Sequence, residues 1–249
     1  MVIIRMKKRA MQFLDLTLET PAHNLALDEA LLLDAATPGA AREVLRLWES
    51  TVPAVILGRS SQCDQEVHLS ACQRRGIPVL RRCSGGASVV IGPGCLMYSL
   101  VVHYERQPQL RSIGTAHAYA LDPLRRALCR LMPTVRRDGT SDLTLNGRKF
   151  SGNSLKCTNQ SVLYHGTLLY DFPLNWISEL LRTPPRQPAY REGRNHTRFV
   201  TNFPADQETL RSALKNAWSA DQELQDWPRE VTHRLLRDRY SCYHWNHRH

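Results

Sequence analysis

The chain has 249 residues, 42% hydrophobic and 22% charged, which suits one sizeable folded domain and excludes a disordered or low-complexity chain. Its 33 Lys and Arg against 23 Asp and Glu leave a net charge of +10, so an anionic partner is expected. No helix-turn-helix, zinc-finger or RNA-binding signature accompanies that charge, so nucleic acid is not an expected partner. No apolar run is long enough for a membrane span or a signal-peptide core, which predicts a cytoplasmic protein with no membrane partner.

In chain order, residues 12–18 predict a first strand. Thr20 and Pro21 then supply an N-cap and a first-turn proline for a helix ending near Pro38-Gly39. Residues 44–48 and 54–57 read as two strands of a hairpin, and residues 64–75 as a helix closed by Gly76. Strands follow at 78–82, 88–91 and 96–103, separated by glycines. A helix over 117–131 carries Leu121, Leu124, Leu128 and Leu131 on one face and stops at Pro133. Three more strands fit 142–145, 149–151 and 161–170, and a helix fits 174–181. The proline- and arginine-rich stretch 182–199 predicts a loop or lid, and helices over 207–219 and 228–239 close the chain. The interspersed pattern predicts an α+β fold, a mixed and largely antiparallel β-sheet flanked by helices. No internal repeat is present.

Only five of the 33 basic residues are lysines, and one of these, Lys149, lies between Gly147 and Gly152 in a β-rich segment. Lys7 and Lys8 belong to the terminal tail. Glycines allow a backbone to approach a ligand, and an ammonium is a compact charge for a phosphate or an oxyanion. The bland alternative is a solvated hairpin lysine. A second glycine turn, Ser84-Gly85-Gly86, follows Arg81 and Arg82; it could face an anion or be a plain tight turn, and it is neither a Walker loop nor GxGxxG. The seven cysteines (63, 72, 83, 95, 129, 157 and 242) contain no CxxC pair, so a zinc ribbon or dithiol redox centre is not expected.

The ordered blocks NLALDEAL (24–31), RLWES and VILGR (46–59), RRCSGG (81–86), SDLTLNGRKFSGN (141–153) and YHGTLL (164–169) resemble the lipoate–protein ligase and octanoyltransferase family. The resemblance implies a biotin/lipoate ligase-like catalytic domain over 12–204, followed by a short helical extension over 205–249. It implies a slot for an eight-carbon acyl chain, lipoate or octanoate, and an acidic lipoyl carrier domain as acceptor. On this resemblance Lys149 is the catalytic residue that grips the acyl carbonyl and phosphate. Arg82, Ser84, Gly85, Gly86, His165 and Gly166 bind substrate. Ser141 and Asp142 hold the nucleotide, with Asp142 also on magnesium, so ATP and Mg2+ are the implied cofactors. His165 could instead be a buried core histidine satisfied by hydrogen bonds. The chain departs from the family at Ala87, in place of a third glycine, at Ile91, in place of a histidine, and at Cys95, in place of an asparagine.

Two chemistries share such a fold. A ligase makes an acyl-adenylate with ATP, whereas a transferase passes octanoate through a cysteine thioester and needs a thiolate near the lysine. One transferase branch carries that cysteine just before the HG pair, where this chain has Val162, Leu163 and Tyr164. Another carries it upstream of Asp142, where residues 135–142 read VRRDGTSD. Cys157 matches neither position, so the ligase reading leads, with the cysteine transferase and a non-catalytic binding protein as alternatives. Ligases of the family carry a further C-terminal accessory domain, and only about 45 residues follow Pro204. The closing helices substitute for it, or a separate accessory subunit supplies it, or the chain is a transferase using another residue. The arginines of the lid (Arg182, Arg186, Arg191, Arg194 and Arg198) fit closure over a nucleotide, docking of the acidic acceptor, or plain solvation.

Overall fold

The computed structural model describes residues 11–37 and 42–248. A first strand, β1 (Gln12–Asp15), leads into α1 (Pro21–Ala35). The Thr20 hydroxyl accepts a hydrogen bond from the His23 amide at 3.2 Å and Pro21 occupies the first turn, so this helix starts where its capping signals place it. Its expected end at Pro38-Gly39 lies outside the described residues, as do Lys7 and Lys8, and the helix closes at Ala35. Most of α1 is buried on every side because it packs against both β-sheets.

Five further strands and two short helices follow: β2 (Val44–Glu49), β3 (Ala54–Leu57), α2 (Cys63–Glu66), α3 (Leu69–Arg74), β4 (Val79–Arg81), β5 (Val89–Ile91) and β6 (Cys95–His103). Then come α4 (Ile113–Leu131), β7 (Val135–Asp138), β8 (Asp142–Leu145), β9 (Arg148–Cys157) and β10 (Ser161–Leu169). The chain continues through α5 (Asn175–Leu180), α6 (His196–Phe199), α7 (Gln207–Ala217), β11 (Gln222–Glu223), α8 (Arg229–Leu235) and α9 (Tyr243–Asn246). The large sheet has the order β11-β1-β2-β6-β10-β9-β8-β7, parallel only where β1 meets β11 and β2. A small sheet has the order β4-β3-β5. The fold is therefore the expected α+β arrangement with a mixed, largely antiparallel sheet. No helix among the described residues is long and apolar enough to cross a membrane.

Period-2 alternation sorts β2, β6 and β10 into two buried faces. Leu45, Leu47, Leu96, Tyr98, Leu100, Val162 and Leu168 face α4 and α7, where Leu121, Leu124, Leu128, Leu210 and Leu214 meet them. The opposite face turns toward α1 and the small sheet. Residues 205–248 are woven into the same layers: α7 packs on α4, β11 extends the large sheet beside β1, and α8 lies on α1.

Several elements differ from the sequence expectation. Residues 44–48 and 54–57 form no hairpin: β2 pairs with β1 and β6 in the large sheet, while β3 pairs with β4 and β5 in the small one. The helix expected over 64–75 is broken at Val67, whose backbone bridges to Leu181. The strand expected over 149–151 is the beginning of the ten-residue β9, joined to β8 by Asn146 and Gly147. Both have positive φ (51° and 72°), the conformation a two-residue type I′ turn requires. The lid is anchored, not free: Asn195 caps α6, and Arg194 donates to the carbonyls of Gly147 (3.0 Å) and Tyr190 (2.6 Å).

Helix and sheet are locked by a buried ion pair. Arg46 on β2, 0% exposed, donates to Asp28 Oδ1 of α1 at 2.6 Å, to Asn24 Oδ1 at 2.5 Å and to the carbonyls of Asn24 and Leu16. Burial, the largest single influence, would raise the Asp28 carboxyl, but the Arg46 guanidinium with His165 and Ser99 together outweighs it and holds the group below the ordinary carboxylate range. Its contribution is thus complete above about pH 4 and fades as pH falls through the depressed folded value. Arg46→Ala strands a buried carboxylate and is expected to lower the unfolding free energy by about 3–5 kcal/mol. Urea denaturation at neutral pH measures this, and a loss below about 1 kcal/mol would show that the pair does not hold the layers together.

Candidate active site at Lys149

The β8–β9 hairpin brings Lys149 and Asp142 together. Between the pairs Thr144–Lys149 and Leu143–Ser151, β9 carries one extra residue, Phe150, and this bulge re-aims the strand beside Lys149. Lys149 Nζ donates to Asp142 Oδ1 at 2.8 Å, and Tyr190 from the lid donates its hydroxyl to Asp142 Oδ2 at 2.7 Å. The lysine side chain lies across Gly152, where a Cβ would stand 2.7 Å from Nζ and 2.8 Å from Cε. The glycine of GRKFSG is therefore the bed of the lysine as well as a strand residue. Thr201 donates its amide to the Lys149 carbonyl at 2.9 Å, which fixes the backbone from the lid side.

Lys149 stands where two cavities adjoin. One, with about 750 Å³ of open space, combines apolar walls from Leu25, Ile56, Val89 and Met97 with Arg82, Asp142, Asn153 and His165. The other, about 710 Å³, runs beneath the lid along Val89, Phe150, Leu169 and Phe199, with Arg182, Arg191 and His196 in its wall. Both are bordered by Lys149, Gly152 and Thr167.

The structure distributes the residues expected from sequence unevenly. Lys149, Asp142, Ser141, Arg82, Gly86, His165 and Gly166 all line the first cavity, whereas Ser84 and Gly85 stand behind it. Arg82 spends its donors on the turn itself: Nε on Ser84 Oγ (3.1 Å), Nη1 on the Ile56 carbonyl (3.2 Å), Nη2 on those of Gly85 (2.5 Å) and Ala87 (3.0 Å). Burial lowers its guanidinium to about 10. Ser84 Oγ meets His165 Nε2 at 2.6 Å, and His165 Nδ1 lies 3.8 Å from Asp28 Oδ2, a buried oxygen with no hydrogen-bond partner. His165 is thus both a buried histidine and a wall of the cleft. Ser141 exchanges hydrogen bonds with Asn153, which also accepts from the buried Tyr98 hydroxyl at 2.6 Å.

The departures noted in sequence are absorbed locally. The Ala87 carbonyl accepts from Arg82, while Ile91 and Cys95 are buried among the apolar residues of the second core. Tyr190 and Arg191 carry no sequence signal that singles them out within the lid. Asp28 does carry one, as half of an acidic pair with Glu29 inside the buried run LALDEALL (25–32).

Among the described residues no group of three or more His, Cys, Asp or Glu side chains could hold a metal ion. Asp142 is the one carboxylate in the wall of the first cavity, and both its oxygens already have partners. That donor set fits a magnesium ion arriving with nucleotide phosphates, which takes only one or two protein carboxylates, and not a resident metal.

The site is thus an apolar slot and a second, cation-lined cavity that meet at one lysine within a layered α+β domain. The chain belongs to the lipoyl protein ligase A/B catalytic domain family, whose pattern matches residues 20–223. It is 24% identical over 210 residues to lipoate-protein ligase LplJ of Bacillus subtilis, covering 78% of this chain and 61% of that protein. It is 26% identical over 268 residues to octanoyltransferase LipM of Carboxydothermus hydrogenoformans, covering 94% of this chain and 97% of that protein. In fold it superposes on the bi-partite lipoate protein ligase of Thermoplasma acidophilum, described with its E2 lipoyl domain. The TM-score is 0.77 at 21% identity, over 95% of this chain and 96% of that one. A lipoate-protein ligase A bound with ATP superposes at a TM-score of 0.78 and 21% identity, over 96% and 98%. The chain thus spans about three fifths of the Bacillus ligase and nearly all of the transferase.

Gly152→Ala is expected to push Lys149 off its bed and to slow acyl attachment by roughly tenfold to a hundredfold while the melting temperature stays within a few degrees. Initial rates beside thermal melts check this. Wild-type rates in the variant would mean that the lysine needs no such placement.

Proposed function

We propose that the protein activates lipoate or octanoate with ATP and attaches the acyl group to a lysine of a lipoyl carrier domain. The observation that carries this reading is that a fixed lysine stands between two cavities while none of the seven cysteines lines either one. Cys83, behind the glycine turn, is pushed up to about 12 by burial, and Cys95 is driven further in the same direction. Neither supplies a thiolate at neutral pH. Cys157 pairs with Val162 toward the far end of β9 from Lys149.

In this reading the slot lined by Leu25, Ile56, Val89 and Met97 takes the acyl chain, and the lid-side cavity takes the nucleotide. A carboxylate oxygen attacks the α-phosphorus and pyrophosphate leaves. The acceptor amine then attacks the acyl carbon, loses its proton, and AMP leaves. Lys149 stabilises the negative charge of both steps without reorganising. Magnesium, when bound with the phosphates, would be held by Asp142 beside Ser141 and would screen their charge. Arg82, Ser84, Gly85 and Gly86 form the turn that closes the acyl slot, with His165 and Gly166 as its floor.

The net charge of +10 favours an acidic carrier domain as the partner. A separate accessory subunit belongs to the proposal, because the Thermoplasma ligase of this length is bi-partite. Seven unpaired thiols accord with the reducing cytoplasm expected from the sequence. The second reading, octanoyl transfer from a carrier without ATP, is favoured by the near full-length match to the transferase.

Incubation with octanoate or lipoate and a lipoyl domain, read by intact mass, separates the two. The ligase reading expects acylation only with ATP and magnesium, a loss of about a hundredfold or more in Lys149→Ala, and unchanged rates in Cys157→Ser. ATP-independent acylation from octanoyl carrier protein, with an acyl-enzyme lost in a cysteine variant, would establish the transferase. Full activity of Lys149→Ala would sink both.

A further inference from the structure

Five arginines punctuate the lid, and the structure treats one of them differently. Arg186 and Arg198 are exposed, and Arg194 is occupied in stapling the lid to the β8–β9 turn. Arg182 reaches the mouth of the lid-side cavity from an exposed position. Arg191 lines that cavity while only 3% exposed. Its Nε donates to the Arg194 carbonyl at 2.8 Å, its guanidinium stands 4.7 Å over the Phe199 ring, and its Nη2 is buried with no hydrogen-bond partner.

The other buried arginines end on acceptors. Arg46 reaches Asp28, Arg81 reaches the carbonyls of Gly58, Ser61 and Arg248, and Arg82 reaches those of its own turn. No carboxylate among the described residues forms an ion pair with Arg191. A buried guanidinium with an unmet terminal donor is costly in isolation, and a planar fork of donors matches a phosphate. Burial pulls this guanidinium down from its ordinary value, with Arg194 adding to the effect.

Cations outnumber acids in the wall of the cavity around it. Arg182 and His196 share that wall with Lys149, whose charge Asp142 offsets, and the one acid lining it, Glu66, accepts from the amide and hydroxyl of Ser88. Phe150 and Phe199 give the remainder an apolar surface. The position of Arg191 is fixed from both sides. Its neighbour Tyr190 holds Asp142, and Arg194 grips the turn that precedes Lys149.

We propose that Arg191 is a phosphate-recognising residue of the lid-side cavity, taking the phosphate ester carried by the activated acyl donor. The inference rests on the acyl-transfer reading only in naming that donor. The same phosphate chemistry could come from a nucleotide or from the 4′-phosphopantetheine arm of a carrier protein. Both are therefore probed.

Equilibrium titrations of the full chain with AMP, with 4′-phosphopantetheine and with octanoate are compared for wild type, Arg191→Ala, Arg191→Lys and Arg198→Ala. The proposal expects Arg191→Ala to weaken the phosphate probe that wild type binds by about tenfold or more, with octanoate binding unchanged. It expects Arg191→Lys to restore part of the loss and the exposed Arg198→Ala to behave as wild type. Binding of 4′-phosphopantetheine but not AMP, with the same dependence on Arg191, would uphold the phosphate site and remove the adenylate reading. Three outcomes overturn the proposal: Arg191→Ala binding the phosphate probe as wild type does, wild type binding neither probe, or octanoate affinity falling in parallel.

Discussion

The buried pair of Arg46 and Asp28 sets the geometry on which the cleft depends. Arg46 pairs in register with Ser99 on β6, Ser99 with His165 on β10, and His165 with Ser154 on β9. This polar row crosses four strands beneath α1. Asp28 approaches it from the helix, and the glycine turn approaches it from the small sheet: Ser84 meets His165, and Ser154 donates to the Gly85 carbonyl at 2.9 Å. A buried ion pair contributes little net stability compared with apolar packing, yet it tolerates few alternative registers. Here a one-residue slip of β6 or β10 would place Ser99 or His165 in the apolar core facing α4, so the row fixes the register and, with it, the wall of the first cavity.

The tandem arginines preceding the glycine turn divide their work between its two sides. Arg82 turns toward the cleft and satisfies the turn's own carbonyls. Arg81 turns away and is received by the C-terminal segment, where its Nε and Nη2 donate to the carbonyls of Trp245 and Arg248 and its amide donates to Asn246 Oδ1. Trp245 returns a hydrogen bond from its indole to the Arg81 carbonyl at 2.8 Å. The same segment holds α1 through Tyr240, whose hydroxyl donates to Glu29 at 2.7 Å, and through Arg239, which pairs with Glu29. The closing helices therefore brace both the helix that carries Asp28 and the glycine turn that borders the cleft.

What could be read from sequence follows the range of the forces involved. Caps, a proline stop and the period of apolar residues are local, and they placed the start of the first helix and six strands of the large sheet, β9 only in part, while the edge strands β7 and β11 went unforeseen. Partner choice is not local. The two apolar runs at 44–48 and 54–57 look alike as candidate hairpin strands, and only their pairing with β6 and β5 sends them to different sheets. The long helix expected over 64–75 fails at Val67 because a contact with Leu181, more than a hundred residues away, claims its backbone. The site shows the same division. Lys149 and Asp142 stand seven residues apart on one hairpin and were legible as a motif. Tyr190 and Arg191 lie in a stretch without periodicity, so only the folded lid reveals that one holds Asp142 and the other enters the cavity.

The charge arrangement at Lys149 links that lid to the chemistry. With Asp142 at 2.8 Å the lysine's field is largely cancelled at rest, so the pair presents little net charge to the slot. An anionic group arriving at Lys149 must share it with Asp142 or draw the lysine away. Either change is felt at Asp142 Oδ2, which is tied to Tyr190. Lid and lysine are thus joined through one carboxylate, and the buried lid guanidinium with an unmet donor, Arg191, stands in the adjoining cavity. On the proposed reading, an acyl donor carrying a phosphate engages both ends of that chain at once, whereas a free fatty acid engages only one. Such an arrangement would discriminate by charge and position where chain length alone could not, because an apolar slot distinguishes neighbouring hydrocarbons by only about 1–3 kcal/mol per methylene.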